Sequence, residues 1–257
     1  METGMAWVEA APLALVGLLF MATLAVGVEV GYRGQLWLSA RNQGKGAPPD
    51  HILSAVLGLL ALLLGFTFSL SLNRFEGRRD LVVREANAIG TVWLRANLLE
   101  EPERQELREL LRRYVDIRLA WSDTDGADND IAATSALQGQ LWAVTGRAVR
   151  SDSSPLLARG LMDAMNDAFD LAGSRAAARA AHIPGRVLGV LLLYAALSMI
   201  MLGYMLAAGG RPHRLATTLL AALLSLAVVV ILDLDRPRDG AIQVSQQPLL
   251  DLKSEMR

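Results

Sequence analysis

Apolar residues concentrate in four stretches that carry no charge: Ala10–Val28, Ile52–Leu72, Val187–Gly210 and Leu215–Leu232, of 19, 21, 24 and 18 residues. A bilayer core of about 30 Å takes about 20 helical residues to cross, so each stretch predicts a membrane span. Between the second and third the pattern changes. Asn73–Arg186 holds 33 of the 51 charged residues, 16 Arg against 17 Asp or Glu. Within it Leu107, Leu110, Leu111, Tyr114, Ile117 and Trp121 recur at helical spacing, which predicts an amphipathic helix. Pro102 suits its first turn, and Glu100–Arg104 and Glu109–Arg113 stand at i,i+4 in the acid-first order that supports a helix. A loop is expected at Ser122–Asp130. Ser154 and Pro155 then read as the N-cap and first residue of a helix that runs to about His182, where Pro184 stops it. The second and third spans are expected to continue outside the membrane as long helices that pack together. The link Gly34–Asp50, with Gly44, Gly46, Pro48 and Pro49, reads as a loop, and the tail Asp233–Arg257 as irregular.

The fold class expected from this pattern is an all-α membrane protein, with a helical cytoplasmic domain inserted between the second and third of four transmembrane helices. The segments are 1–72, 73–186, 187–232 and 233–257. There is no strand-like alternation of any length and no internal repeat.

Composition sharpens the picture. The 257 residues are 53% hydrophobic with a mean hydropathy of +0.32, against about 45–50% apolar in soluble chains. There is no Cys, so disulfides, thiol catalysis and cysteine metal sites are excluded. A net charge of −1 gives no case for a nucleic-acid partner. The N-terminus lacks the basic segment of a signal peptide and carries Glu2 and Glu9, so the first stretch reads as a retained span with Trp7 and Tyr32 at interface depth. Arg74, Arg78, Arg79, Arg84, Arg175, Arg179, Arg186, Arg236 and Arg238 flank the spans on the side of the middle segment. Arg33, Arg41, Lys45, Arg211 and Arg214 flank them on the other. The excess of basic residues puts the middle segment and both termini in the cytoplasm.

Candidate chemistry is sparse. The acidic loop Asp123–Asp130 looks like a calcium loop, but counting from Asp123 an EF-hand needs Gly and Glu where Asp128 and Thr134 stand, so a solvated turn is the reading. His51, His182 and His213 are isolated in sequence, and no catalytic nucleophile comes with a recognisable base; neither a metal, a cofactor nor an enzyme is expected. The second span is more informative. Ser54, Gly58, Ala61, Gly65 and Ser69 share one helical stripe, with Leu62, Phe66 and Asn73 beside it. Helix packing through small residues is the ordinary explanation. A pore lining, with the bulky apolar positions as a constriction that gates by dewetting, is the other. Gly27-x-x-x-Gly31 in the first span is a weaker contact signal, with Glu29 inside it. Asp233 and Asp235 stand where the fourth span ends, and pairing with Arg74, Arg78 and Arg79 is preferred there over ion coordination.

Several strings carry a resemblance: Leu63-Leu-Gly-Phe-Thr-Phe-Ser69, Arg74-Phe75, Arg84-Glu-Ala-Asn-Ala-Ile-Gly-Thr91, Arg112-Arg-Tyr-Val-Asp116, Ile231-Leu-Asp-Leu-Asp-Arg-Pro-Arg238 and Ser245-Gln-Gln-Pro-Leu-Leu250. They are similar to a bacterial membrane family with a bestrophin-like domain, over about residues 52–252. More remotely the chain resembles the bestrophins, pentameric ion channels with four spans and cytosolic termini. In bestrophins a row of apolar side chains at i,i+4,i+8 on the second span forms the pore neck; the matching row here is Gly58, Leu62 and Phe66, and Gly58 departs from the bulky pattern. The resemblance implies a homo-oligomer, up to a pentamer, in the bacterial cytoplasmic (inner) membrane, with small inorganic ions and the lipid bilayer as its partners. Leu62 and Phe66 would line the constriction, with Asn73 and Arg74 at its cytoplasmic mouth. The acidic run that binds calcium in animal bestrophins has no match after the fourth span. The alternative function is a non-conducting scaffold or sensor that recruits a partner through its cytoplasmic helices.

The orientation is directly testable. Reporter tags at residue 257 and at about residue 127 should both score as cytoplasmic; a reporter active only outside the cytoplasm that lights up at either point reverses the topology.

Overall fold

The computed structural model describes residues 11–41, 50–123, 128–151, 155–210, 213–236 and 240–257. Among them are eight helices and no strand: α1 (Leu13–Ala40), α2 (Asp50–Ala96), α3 (Glu103–Asp123), α4 (Asp128–Ser151), α5 (Pro155–Ala180), α6 (Gly185–Ala208), α7 (Arg214–Asp235) and α8 (Gln247–Glu255). The chain divides into two compact units. Unit 1 is Met1–Phe75 with His182–Gln243, and unit 2 is Glu76–Ala181 with Val244–Arg257. Four helical stretches are long and apolar enough to cross a membrane, on α1, α2, the α6 part of Pro155–Ala208, and α7. At 47 residues α2 is about 70 Å long, more than twice a bilayer core, and it contributes to both units.

Unit 1 is held by its four apolar helices. Phe20 and Leu24 of α1, Leu60 of α2, Leu191, Ala195 and Met199 of α6, and Val228 and Ile231 of α7 share one buried cluster. Lipid tails are as apolar as leucine, so close approach and hydrogen bonds must choose the contacts. Small residues supply the approach between α1 and α6. A Cβ on Gly31 would overlap the carbonyl of Ile200, one on Gly203 would overlap the carbonyl of Val28, and one on Gly27 would stand 3.3 Å from the Ala196 oxygen. The Gly27-x-x-x-Gly31 signal is thus a real contact, completed by a glycine of another span. At its far end α6 stops at Gly209 and Gly210. Gly210 has φ +73, the left-handed conformation that ends a helix and that glycine adopts without strain.

Unit 2 has a core of the soluble kind. The expected amphipathic face of α3 packs as read: Leu107, Leu110, Leu111, Tyr114 and Trp121 are buried, and Ile117 packs on the same cluster. Val82, Ile89, Val92 and Trp93 of α2 join it, with Leu141 of α4, Leu161 and Met165 of α5, and Leu249 and Leu252 of α8. Fully burying such a leucine is worth about 1.5–3 kcal/mol.

Several local readings change. The tail is not irregular: Gln247–Glu255 is helical, because Leu249, Leu252 and Met256 fall on one helical face that the core of unit 2 buries. Arg104 pairs with Glu101 at 2.8 Å rather than with Glu100; α3 begins at Glu103, so the i,i+4 helical spacing does not extend back to Glu100. The loop at Ser122–Asp130 is shorter than read, since α3 reaches Asp123 and α4 starts at Asp128. The link after the first span begins late, with α1 helical through Gly34 to Ala40. Its breakers Gly44, Gly46, Pro48 and Pro49, like Trp7, Ser154 and Arg238, lie outside the described residues. Pro155 does open α5, and Ala181–Pro184 separate it from α6.

The glycines give a paired test. Gly31→Ala and Gly203→Ala should each lower the melting temperature of the detergent-solubilised protein, at the upper end of the about 1–3 kcal/mol typical of overpacking. Gly58→Ala and Gly65→Ala meet nothing within 4 Å in this chain and should leave the fold of the subunit unchanged. Equal losses at all four positions would mean that the α1–α6 contact is not specific.

Candidate functional site

The residues singled out on the second span fall on one side of α2. Ser54, Gly58, Ala61, Leu62, Gly65, Phe66, Ser69 and Asn73 are all exposed; Leu62 is 52% and Phe66 65% accessible. Nothing in the chain stands within 4 Å of where a Cβ on Gly58 or Gly65 would be. The small residues of this stripe therefore do not serve packing within the subunit, in contrast to the glycines of α1 and α6. Arg74 lies off the stripe and is half-buried, with its Nε buried and without an acceptor.

The opposite side of α2 faces unit 1. Leu60 and Thr67 are buried there, with Leu57, Leu63 and Leu64 packed on the same cluster. Two hydrogen bonds cross to other spans: the fully buried Ser71 Oγ donates to the Ile231 carbonyl of α7 at 2.7 Å, and Tyr194 of α6 donates its hydroxyl to the Val56 carbonyl at 3.3 Å.

The two carboxylates that end α7 are buried and engaged by backbone. Asp233 Oδ1 accepts from the Ala241 amide at 2.8 Å; Gly240 approaches so closely that a Cβ there would strike this carboxylate. Asp235 accepts from the Ile183 amide with both oxygens, at 3.1 and 3.0 Å, and stands 3.6 Å from His182 Nδ1. It thereby fixes the start of the third span. Arg78 donates to the Ala178 and Ala181 carbonyls at 3.1 and 2.7 Å, capping the end of α5 with a cation, as the helix dipole favours. Arg79 is exposed, 3.6 Å from Glu76.

Sequence reasoning missed the most buried polar cluster, in unit 2. Glu85 of α2 is fully buried and bridges Arg118 of α3 and Arg175 of α5. Arg175 also donates to Gln246, whose own side-chain amide donates to the Val244 carbonyl at 2.9 Å. The guanidinium groups of Arg118, Arg175 and Arg179 lie 4.6, 5.1 and 4.1 Å from the Trp121 ring centroid, within cation–π range. Burial pushes Arg175 below its ordinary value, and the Glu85 carboxylate pulls it back. Burial likewise raises the Tyr114 hydroxyl. One signal was available: Glu85 interrupts the apolar side Val82, Ala86, Ile89 of its helix, and both it and Gln246 sit inside strings that carry the resemblance. The structure brings those distant strings together at Arg175.

Residues 50–249 match the family model named Bestrophin-like, for the bestrophin-like domain, and the chain belongs to that family. Among solved structures, a mutant of a bacterial bestrophin homologue from Klebsiella pneumoniae superposes with a TM-score of 0.70 at 13% identity, over 93% of this chain and 97% of that one. The same homologue solved by zinc phasing gives 0.68 at 15% identity, over 92% and 98%. A further mutant gives 0.70 at 16%, over 95% and 99%. The architecture is thus the bestrophin fold, reached at very low identity. No curated protein matches the chain significantly.

The Glu85 cluster should be essential to unit 2. Glu85→Gln keeps the shape but leaves two buried guanidinium groups without a carboxylate, a change that typically costs about 3–5 kcal/mol. Thermal unfolding of the detergent-solubilised variant should show a large fall in stability; a loss below about 1 kcal/mol would place the cluster in the range of wet surface pairs.

Proposed function

We propose that this protein is a subunit of a bestrophin-like ion channel, homo-oligomeric and pentameric at its full assembly, in the bacterial cytoplasmic membrane with both termini cytoplasmic. The observation that carries the reading is the exposed face of α2. Two bulky apolar side chains, Leu62 and Phe66, stand one turn apart beside the stripe of Ser54, Gly58, Ala61, Gly65 and Ser69, on an exposed side that also carries Leu59, Phe68 and Leu72. Membership of the bestrophin-like family supports the reading.

In the assembled channel the α2 helices surround a common axis. Phe66 and Leu62 make a narrow apolar ring that small inorganic ions cross reluctantly, because a dry constriction strips their water. Gly58 leaves the path wider on one side of that ring. Asn73 and Arg74 follow at the cytoplasmic mouth, where an amide and a guanidinium offer polar contacts to a rehydrating ion. No chemical step is assigned to the protein: it moves ions and is not an enzyme.

The test is Phe66→Ala. It removes most of the ring from every subunit at once, so the conductance of purified protein in planar bilayers should rise while the oligomer persists. Wild type and variant both silent over a wide voltage range, with the variant less stable, would favour a non-conducting scaffold. A buried packing phenylalanine would show that stability loss, about 3–5 kcal/mol by soluble-core precedent.

A further inference from the structure

We infer that Ser71 and Tyr194 are positioning residues that set which face of α2 is free, and so aim Leu62 and Phe66. The inference deepens the channel reading and rests on it only for the current; the orientation of α2 within unit 1 stands independently.

The need for such residues follows from how α2 is held. Its part in unit 1 meets the other spans through the Leu60 cluster and through hydrogen bonds to α6 and α7. The glycine contacts that lock α1 to α6 have no counterpart on it, since Gly58 and Gly65 meet nothing. What α2 offers its neighbours around Leu60 is leucine: Leu57, Leu63 and Leu64. Leucine contacts are non-directional, and the exposed Leu59 and Leu62 on the other side offer the same kind of apolar surface as those packed inside. Apolar packing therefore discriminates weakly between rotations of this helix.

Hydrogen bonds are directional. The Ser71 hydroxyl is fully buried and reaches the Ile231 carbonyl of α7 at 2.7 Å. The Tyr194 hydroxyl on α6 reaches the Val56 carbonyl at 3.3 Å. Val56 and Ser71 are 15 residues apart, about 22 Å along the axis, and they bracket Leu62 and Phe66. One bond ties α2 through its own side chain to α7, and the other ties its backbone to α6. Two anchors on different partners, above and below the ring, fix rotation as well as height. Thr67 and Ser198 spend their hydroxyls on the carbonyl one turn back in their own helices, at 2.7 and 2.8 Å, whereas Ser71 reaches across to α7, so its bond carries information about the orientation of α2.

Ser71→Ala and Tyr194→Phe remove one hydroxyl each and almost no volume, so packing shape is preserved. The chain has no cysteine, so nitroxides can be placed cleanly at Leu59→Cys on α2 and Leu223→Cys on α7, both exposed positions of unit 1. Electron–electron distances are measured in oligomers diluted with unlabelled subunits. The double hydroxyl variant should shift or broaden the 59–223 distance by several ångström relative to the parent, and single-channel conductance should change with it. An unchanged distance distribution in the double variant overturns the inference, whether or not the protein conducts. A shifted distance in a protein that never conducts upholds the positioning role and overturns the channel reading.

Discussion

A helix in a bilayer satisfies its own backbone and finds lipid on every side, so burying apolar area says little about which face should meet a neighbour. Unit 1 answers that constraint with close approach and with hydrogen bonds. Where α1 meets α6, Gly31 and Gly203 bring each backbone against the other's carbonyls, a fit that tolerates no added methyl. Where α2 meets α6 and α7, hydroxyls reach main-chain oxygens. The first device makes an immovable pair. The second leaves a helix held at points, with one whole side uncommitted to the subunit.

Unit 2 works under different terms. Its core is an aqueous-type cluster of Leu, Val, Trp and Met drawn from α2, α3, α4, α5 and α8, and the fully buried Glu85 is matched by two arginines. A single carboxylate between two guanidinium groups leaves net positive charge inside; the Trp121 ring face and the Gln246 carbonyl share the remaining load. Such a cluster is a costly way to gain stability, because desolvation offsets much of the attraction. Its evident effect is to define position: α2, α3, α5 and the segment before α8 must all be in register for Glu85, Arg118, Arg175 and Gln246 to meet.

What could be read from residues alone follows from what each pattern encodes. The four spans were legible because hydropathy over about 20 residues is a one-dimensional property, and the α3 face because Leu107 to Trp121 repeat at helical spacing. The α8 helix was not, since Leu249, Leu252 and Met256 make too short a period beside a charged, turn-rich segment, and only the core they enter reveals their face. The glycines of α2 and α1 look alike in sequence, yet Gly31 is packed and Gly58 is bare, because the difference lies in the partner helix. Glu85 was hidden for the same reason: its arginines lie 33 and 90 residues away. The partners of Asp233 and Asp235 at the end of α7 include main-chain amides, groups that every residue carries and no side-chain pattern announces.

The bare side of α2 is consistent with the absence of any glycine lock on this helix. A surface reserved for other copies or for ions cannot also bind a neighbour within the subunit, so the helix that bears it must be held from behind. Holding it by close backbone contact would require small residues on the rear face, yet that face carries Leu57, Leu60, Leu63 and Leu64. The small residues are on the free side, where they cost the subunit no packing and interrupt its exposed apolar groups, Leu59, Leu62, Phe66 and Phe68. A helix so arranged is apolar both behind and in front, and its orientation is entrusted to a serine and a tyrosine.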